Sequence, residues 1–234
     1  MIYIRGNAQD YDRWHELGNE GWSWNDILPY FKKAENQERG ANQYHSTGGP
    51  LNVTNLRCVN PLSRAFVAAC LEAGFPENKD FNGAEQEGVG IYQVTQKNGK
   101  RHSAAAAYLT PILQRPNLSV VTNAQVTKLL VEGTKITGLA YIQNGETHEI
   151  KIVKEVILSG GSINSPQLLM LSGIGPAAHL QSLGIPVVVD LPGVGQNLQD
   201  HLCLPIAYKC KKPISLANAK QPQNLLKYLL FKQG

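Results

Sequence analysis

The 234-residue sequence predicts an α/β protein, α+β by content, built around an antiparallel β-meander. Three observations predict it. Val156-Ile157-Leu158, then Ser159-Gly160-Gly161-Ser162, then Ser165 to Leu171 read as a buried strand that feeds a helix through a two-glycine turn. Upstream, β-rich runs between Leu118 and Leu158 are separated by turn pairs, the last being Asn144-Gly145, the pair favoured in type I′ hairpins. Earlier still, Leu62, Ala65, Phe66, Ala69, Cys70 and Ala73 fall at helical spacing on one face, and Gly74 supplies the cap.

Composition narrows the class. With 42% apolar and 17% charged residues the chain can build a core and is not disordered. Its apolar runs stay below the roughly 20 residues a membrane-spanning helix needs. The opening MIYIRGNAQDYDRW meets charge within its first five residues and builds no signal-peptide core. Cys58, Cys70, Cys203 and Cys210 form no C-x-x-C pair and have no histidines at zinc spacing, which predicts reduced thiols in a cytoplasmic protein without a metal site. The net charge of +4 is concentrated after Asp200, but that segment carries no recognition motif, so no nucleic-acid partner is predicted.

Taken in order, Met1 to Arg5 alternates like a short strand, and the rest of the first 60 residues reads as loop-rich. Ser23 with Asp26 is a helix-start signal before Ile27, Leu28, Tyr30 and Phe31, with Pro29 shaping the first turns. Trp14, Trp22 and Trp24 predict a small satellite core under a long loop rather than a substrate lid. His45 opens HSTGGPLNV, a Gly-Gly-Pro turn into a strand, and reads as an exposed loop histidine rather than a base. Pro61 to Ala73 reads as a core helix with Cys70 packed on its apolar face. Residues 76–100 return to loop, with Asp80, Asn82 and Gly83 as turn formers and Asn98-Gly99 closing a strand-like VGIYQVTQ.

The segment Arg101 to Leu109 is alanine-rich and helix-prone up to Pro111. LSVVT, VTKLLVE, KITGLAYIQ and ETHEIKIVKEVIL follow as strands, the second buried on both faces. In the helix that follows the Gly160-Gly161 turn, Pro166 suits the first helical position, with Asn164 or Ser165 as N-cap. Pro176 then starts a short helix closed by Gly184, IPVVVDLPGVG gives a further strand and turn, and an amphipathic helix runs from Leu225. Asp200-His201 are sequence neighbours, which favours a local hydrogen bond over a catalytic pair.

Gly161-Ser162, Ser165-Pro166, Leu168-Leu169 and Ser172-Gly173-Ile174-Gly175 match, in order and spacing, the second signature of the glucose-methanol-choline (GMC) oxidoreductases. HSTGGPLNV, the G-x-R-x-S-A segment around Arg101 and GVGQNLQDH also resemble that family. The resemblance implies an FAD-binding fold with the meander inserted before the strand–Gly-Gly–helix unit. It implies FAD as cofactor, an alcohol such as choline as small-molecule substrate, and hydride transfer from its CH–OH group to the flavin. It places the backbone of Val126 against the adenine, Met1 and Ile2 at the end of the flavin-attachment loop, and Gly161 and Ser162 at the cofactor. Arg101 is divided evenly between holding an anionic cofactor and standing free at a helix start.

No residue is assigned a catalytic role. The family's G-x-G-x-x-G turn is not found, since Gly193-Val194-Gly195 continues Gln-Asn-Leu, and none of the six histidines matches the family's catalytic one. The chain is therefore expected to be a central segment, inactive and poorly soluble by itself. Residues 1–60 would be a lid or connector, 61–200 part of an FAD-binding domain, and 201–234 the start of a substrate-binding domain. Two other readings compete: a non-catalytic binding protein with a degenerate flavin fold, and a serine hydrolase using Ser162. Gly160-Gly161-Ser162-Ile163-Asn164 lacks the last glycine of the nucleophile elbow.

Overall fold

A computed structural model of the chain describes residues 1–206, 208–209 and 222–231. It contains two compact units, Ser119–Ile206 and a unit built on Met1–Leu118. Mixed helices and short sheets make it the α/β, α+β-by-content protein expected.

The first unit is more helical at its start than the sequence suggested. Asn7 accepts the Gln9 N–H and caps α1 (Ala8–Glu16), a helix hidden in a polar stretch with no buried residue. Ser23 and Asp26 form the expected capping box on α2 (Trp24–Ala34), which carries Pro29 inside. Tyr11 joins the two helices: its ring lies 5.2 Å from Trp14, 5.9 Å from Trp24 and 6.0 Å from Phe31. The tryptophans are thus the satellite cluster predicted, half exposed at Trp14 and Trp22.

β1 (Glu35–Gln37) and β2 (Leu51–Val53) pair in parallel around the Gly-Gly-Pro turn. α3 (Pro61–Glu72) forms where expected, but it is not a core helix. None of its residues is buried, and Phe66 is 65% exposed. Its apolar stripe is real, but the rest of the unit does not cover it. Met1 to Arg5 is held as strand-like backbone: the Tyr3 N–H donates to the Gln93 carbonyl at 2.9 Å and the Thr95 N–H to the Met1 carbonyl at 2.8 Å. β3 (Gln96–Lys97) and β4 (Lys100–Arg101) make a hairpin through Asn98-Gly99, both with positive φ. That hairpin takes Arg101 out of the alanine-rich helix, which begins later as a π-helical turn at Ala105–Leu109.

In the second unit β5 (Gln125–Glu132), β6 (Lys135–Gln143) and β7 (Glu146–Lys151) form the antiparallel meander in sequential order. Asn144 and Gly145 turn at φ 53° and 85°, as a type I′ pair requires. β5 is half-buried rather than buried on both faces, with Leu129 its one fully covered side chain. LSVVT is irregular, because no neighbouring strand pairs with it among the described residues.

The stretch from Val156 to Leu171 departs from its prediction in two ways. Val156 to Leu158 is irregular and pairs with no strand among the described residues, and Ile157 is 79% exposed. A β-strand needs a hydrogen-bonded neighbour, and the apolar run has none here. α4 (Gly161–Leu171) begins five residues before Pro166, which lies inside it. Gly161 turns the chain at φ 85°, and the Ser165 hydroxyl accepts the Gly160 N–H at 3.0 Å from within the helix. Pro166 therefore costs one helical bond, that to the Ser162 carbonyl, and no side chain caps the start. β8 (Ile174–Gly175) pairs in parallel with β9 (Val189–Asp190) around α5 (Ala177–Ser182), as the IPVVVD strand predicts. α6 (Pro222–Phe231) is the amphipathic helix expected near the end, and residues 232–234 of that prediction lie outside the described residues.

Candidate functional site

The meander and the Val156–Gly160 segment bound a cleft of about 310 Å³ in the second unit. Val126 and Leu139 line one side, Ile157 and Leu158 the other, and Ser159, Gly160 and Asn164 close the end at α4. The sequence reasons for this shape are local. β5 pairs Val126 with Tyr141 and then Lys128 with Ala140, so Thr127 is an extra residue that kinks the strand where it borders the cleft. The glycine pair lets the backbone approach closely: a Cβ on Gly160 would meet Asn164 Cβ at 3.2 Å and the Ser165 nitrogen at 3.3 Å.

The sequence-predicted residues sort as follows. Val126 lines the cleft, and Gly161 and Ser162 sit beside it in the first turn of α4. Met1 and Ile2 are exposed and belong to the first unit, where they line an apolar recess of about 610 Å³ with Leu56, Phe66, Tyr92 and Val94. Arg101 is exposed in β4. Ser162 has no hydrogen bond to any histidine among the described residues, which leaves a serine hydrolase without its base. The Asp200 carboxylate accepts its neighbour's backbone N–H at 2.9 Å, the local contact expected. Cys58, Cys70 and Cys203 are free thiols, while Cys210 lies outside the described residues.

The cleft fits the adenosine end of a dinucleotide cofactor. It is apolar on both flanks and lies at the lower end of the ~300–1,000 Å³ typical of ligand sites. Its lining includes Gly160, Asn164 and Ser165 at the start of α4, a helix with no side-chain cap, and a helix N-terminus favours an anion. No cluster of metal-ligating side chains occurs among the described residues.

Sequence reasoning missed one site. His45 is not an exposed loop histidine but is 2% exposed, held between two carboxylates. Its Nδ1 lies 2.8 Å from Glu35 Oε1 and its Nε2 2.9 Å from Asp80 Oδ2, while Arg5 Nη2 lies 3.0 Å from the same Glu35 oxygen. Burial lowers the imidazole pKa, but hydrogen bonds to Asp80 and Glu35, together with their charges, outweigh it and raise the value to about 9. Glu35 is pushed up by burial and pulled down further by His45 and Arg5, ending below its ordinary range. Asp80 is lowered chiefly by its bond to His45. The partners lie 10 and 35 residues away, beyond any local sequence pattern.

The parallel strand pairs, the antiparallel meander and the glycine-turned helix define an α/β protein with a cleft beside that helix. The family model of the GMC oxidoreductases matches residues 1–203, and the chain belongs to that family. It is 51% identical over 222 residues to the mitochondrial choline dehydrogenase of Mus musculus, covering 95% of this chain and 37% of the relative. It is 47% identical to an alcohol dehydrogenase (acceptor) of Pseudomonas putida, covering 100% of this chain and 44% of that protein. Among solved structures, an FAD-dependent oxidoreductase from Chaetomium thermophilum superposes with a TM-score of 0.90 at 32% identity, over 100% of this chain and 44% of the other. The chain thus spans about two fifths of the length of these relatives.

Proposed function

We propose that this chain contributes the cofactor-holding part of an FAD-dependent oxidoreductase that acts on the CH–OH group of small alcohols, choline foremost. The observation that carries the reading is the cleft between Val126 and the Gly160 turn, in a chain of the GMC family. FAD, when bound, accepts the hydride of the alcohol carbon. The chain's own residues hold it. Val126 and Leu139 sandwich the adenine against Ile157, and the first N–H groups of α4, freed by Gly160 and Gly161, receive the phosphate charge. Met1 and Ile2 border the flavin. The free thiols of Cys58, Cys70 and Cys203 accord with a reducing, cytoplasmic setting.

The test is to purify the chain within a protein of its relatives' full length, load it with FAD, and mix it anaerobically with choline and with simple primary alcohols. Bleaching of the flavin absorbance by choline supports the reading. A tightly held flavin that no alcohol bleaches would favour the alternative, a non-catalytic binding protein on a degenerate flavin fold.

A further inference from the structure

The polar chain around His45 runs without a break to the backbone that carries Met1 and Ile2. His45 Nε2 bonds Asp80 Oδ2, and the other Asp80 oxygen accepts the Asn82 N–H at 3.1 Å. Asn82 then grips the N-terminal segment twice, accepting the Arg5 N–H at 2.7 Å and donating to the Tyr3 carbonyl at 3.2 Å. Gln86, on the same loop, donates to the Arg5 carbonyl at 3.0 Å. On its other side His45 bonds Glu35, which Arg5 reaches from within that segment. Both ends of the histidine thus lead to residues 3–5.

We propose that His45, as an imidazolium clamped between Glu35 and Asp80, is a positioning residue that holds the Met1–Arg5 segment in register for the flavin. The inference rests on the cofactor reading above. Its physical basis is donor counting. Two carboxylate oxygens face the two ring nitrogens, and only the doubly protonated ring has an N–H for each. A neutral ring leaves one carboxylate against a lone pair. Glu35 is fully buried and its second oxygen has no hydrogen bond, so it keeps the remaining N–H, and Asp80 is the partner released. Releasing Asp80 frees Asn82 and with it the grip on Tyr3 and Arg5.

The groups facing His45 are Glu35 on β1, Asp80 on the 76–90 loop with Arg39 nearby, and Arg5 and Tyr3 on the N-terminal segment. Gln37 Nε2 also faces the ring, 3.4 Å from His45 Nδ1 against 2.8 Å for Glu35 Oε1, and donates at 2.9 Å to Gln93 in a reciprocal amide pair.

The experiment is hydrogen exchange on the FAD-loaded protein at a series of pH values, following the Tyr3, Arg5 and Thr95 amides. The Leu129 amide of the second unit is the internal control. Protection of the three amides should fall tenfold or more as His45 deprotonates, while Leu129 is unchanged. Asp80→Asn keeps an acceptor but removes a charge, and should move that fall to lower pH by about one unit or more. His45→Gln should show low, pH-independent protection. Should His45→Gln not fold, Asp80→Asn decides alone, because that side chain is 30% exposed and the substitution is nearly isosteric. Protection that is flat with pH in the wild type, or a fall at the same pH in Asp80→Asn, overturns the proposal. If the wild type retains no FAD, the cofactor reading fails separately, and the amide exchange still decides whether the clamp holds the segment.

Discussion

The Ser172 hydroxyl accepts the backbone N–H of Leu129 at 2.8 Å and donates to the Leu168 carbonyl at 2.6 Å. One buried side chain thereby ties the end of α4 to the middle of β5, an edge strand of the meander, at the covered Leu129. Ser172→Ala leaves that N–H without a partner, and the expected cost is about 1–3 kcal/mol. Chemical denaturation should show a lower midpoint with an unchanged slope.

Gly173, the next residue, sits at φ 84°, where a Cβ would lie 2.5 Å from the Pro186 carbonyl oxygen. Backbone cannot yield as a side-chain tip does. Gly173→Ala should therefore destabilise by more than Ser172→Ala, about 3 kcal/mol or more. Gly193→Ala, with open space around its Cβ position, is the matched control and should melt like the wild type.

Much of this was legible in the sequence because it is written locally. Ser23 with Asp26, Asn144-Gly145 and the Gly184 stop each act through neighbours a few residues away, and each forms as read. The failures share a different cause. Val156 to Leu158 has strand chemistry, but pairing depends on a neighbour no local pattern contains. Pro166 satisfies the rule for a first helical position, yet the glycine turn and the Ser165 back-bond start the helix at Gly161. His45 reads as loop because Glu35 and Asp80 meet it only through tertiary folding. At the cleft the family resemblance pointed to Val126 and the glycine turn, while the Thr127 bulge depends on register.

The His45 pair makes stability depend on pH with a defined sign. The folded-state pKa is raised from 6.5 to about 9, so its contribution is complete below the ordinary histidine value and is lost as pH rises through about 9. The term is on the order of 3 kcal/mol. Glu35 and Asp80, both lowered, contribute above their ordinary carboxylate range and lose that contribution as pH falls below it. Thermal midpoints should therefore form a plateau between the ordinary carboxylate range and pH 6.5 and fall from there through about pH 9. His45→Gln should remove the alkaline drop.

Filling the cleft should separate cofactor binding from folding. Val126 is only half-buried and borders open space, so Val126→Trp adds volume where nothing packs. FAD retention should weaken tenfold or more, with the apoprotein's melting temperature within a few degrees of wild type. Equal retention by Val126→Trp would move the adenine elsewhere.

The most direct test of the central claim is the flavin spectrum of the FAD-loaded protein before and after anaerobic addition of choline. The account predicts one flavin per chain and, where the chain is part of a protein of its relatives' full length, loss of the oxidised absorbance on mixing. A protein that folds but retains no flavin at any FAD concentration would contradict it.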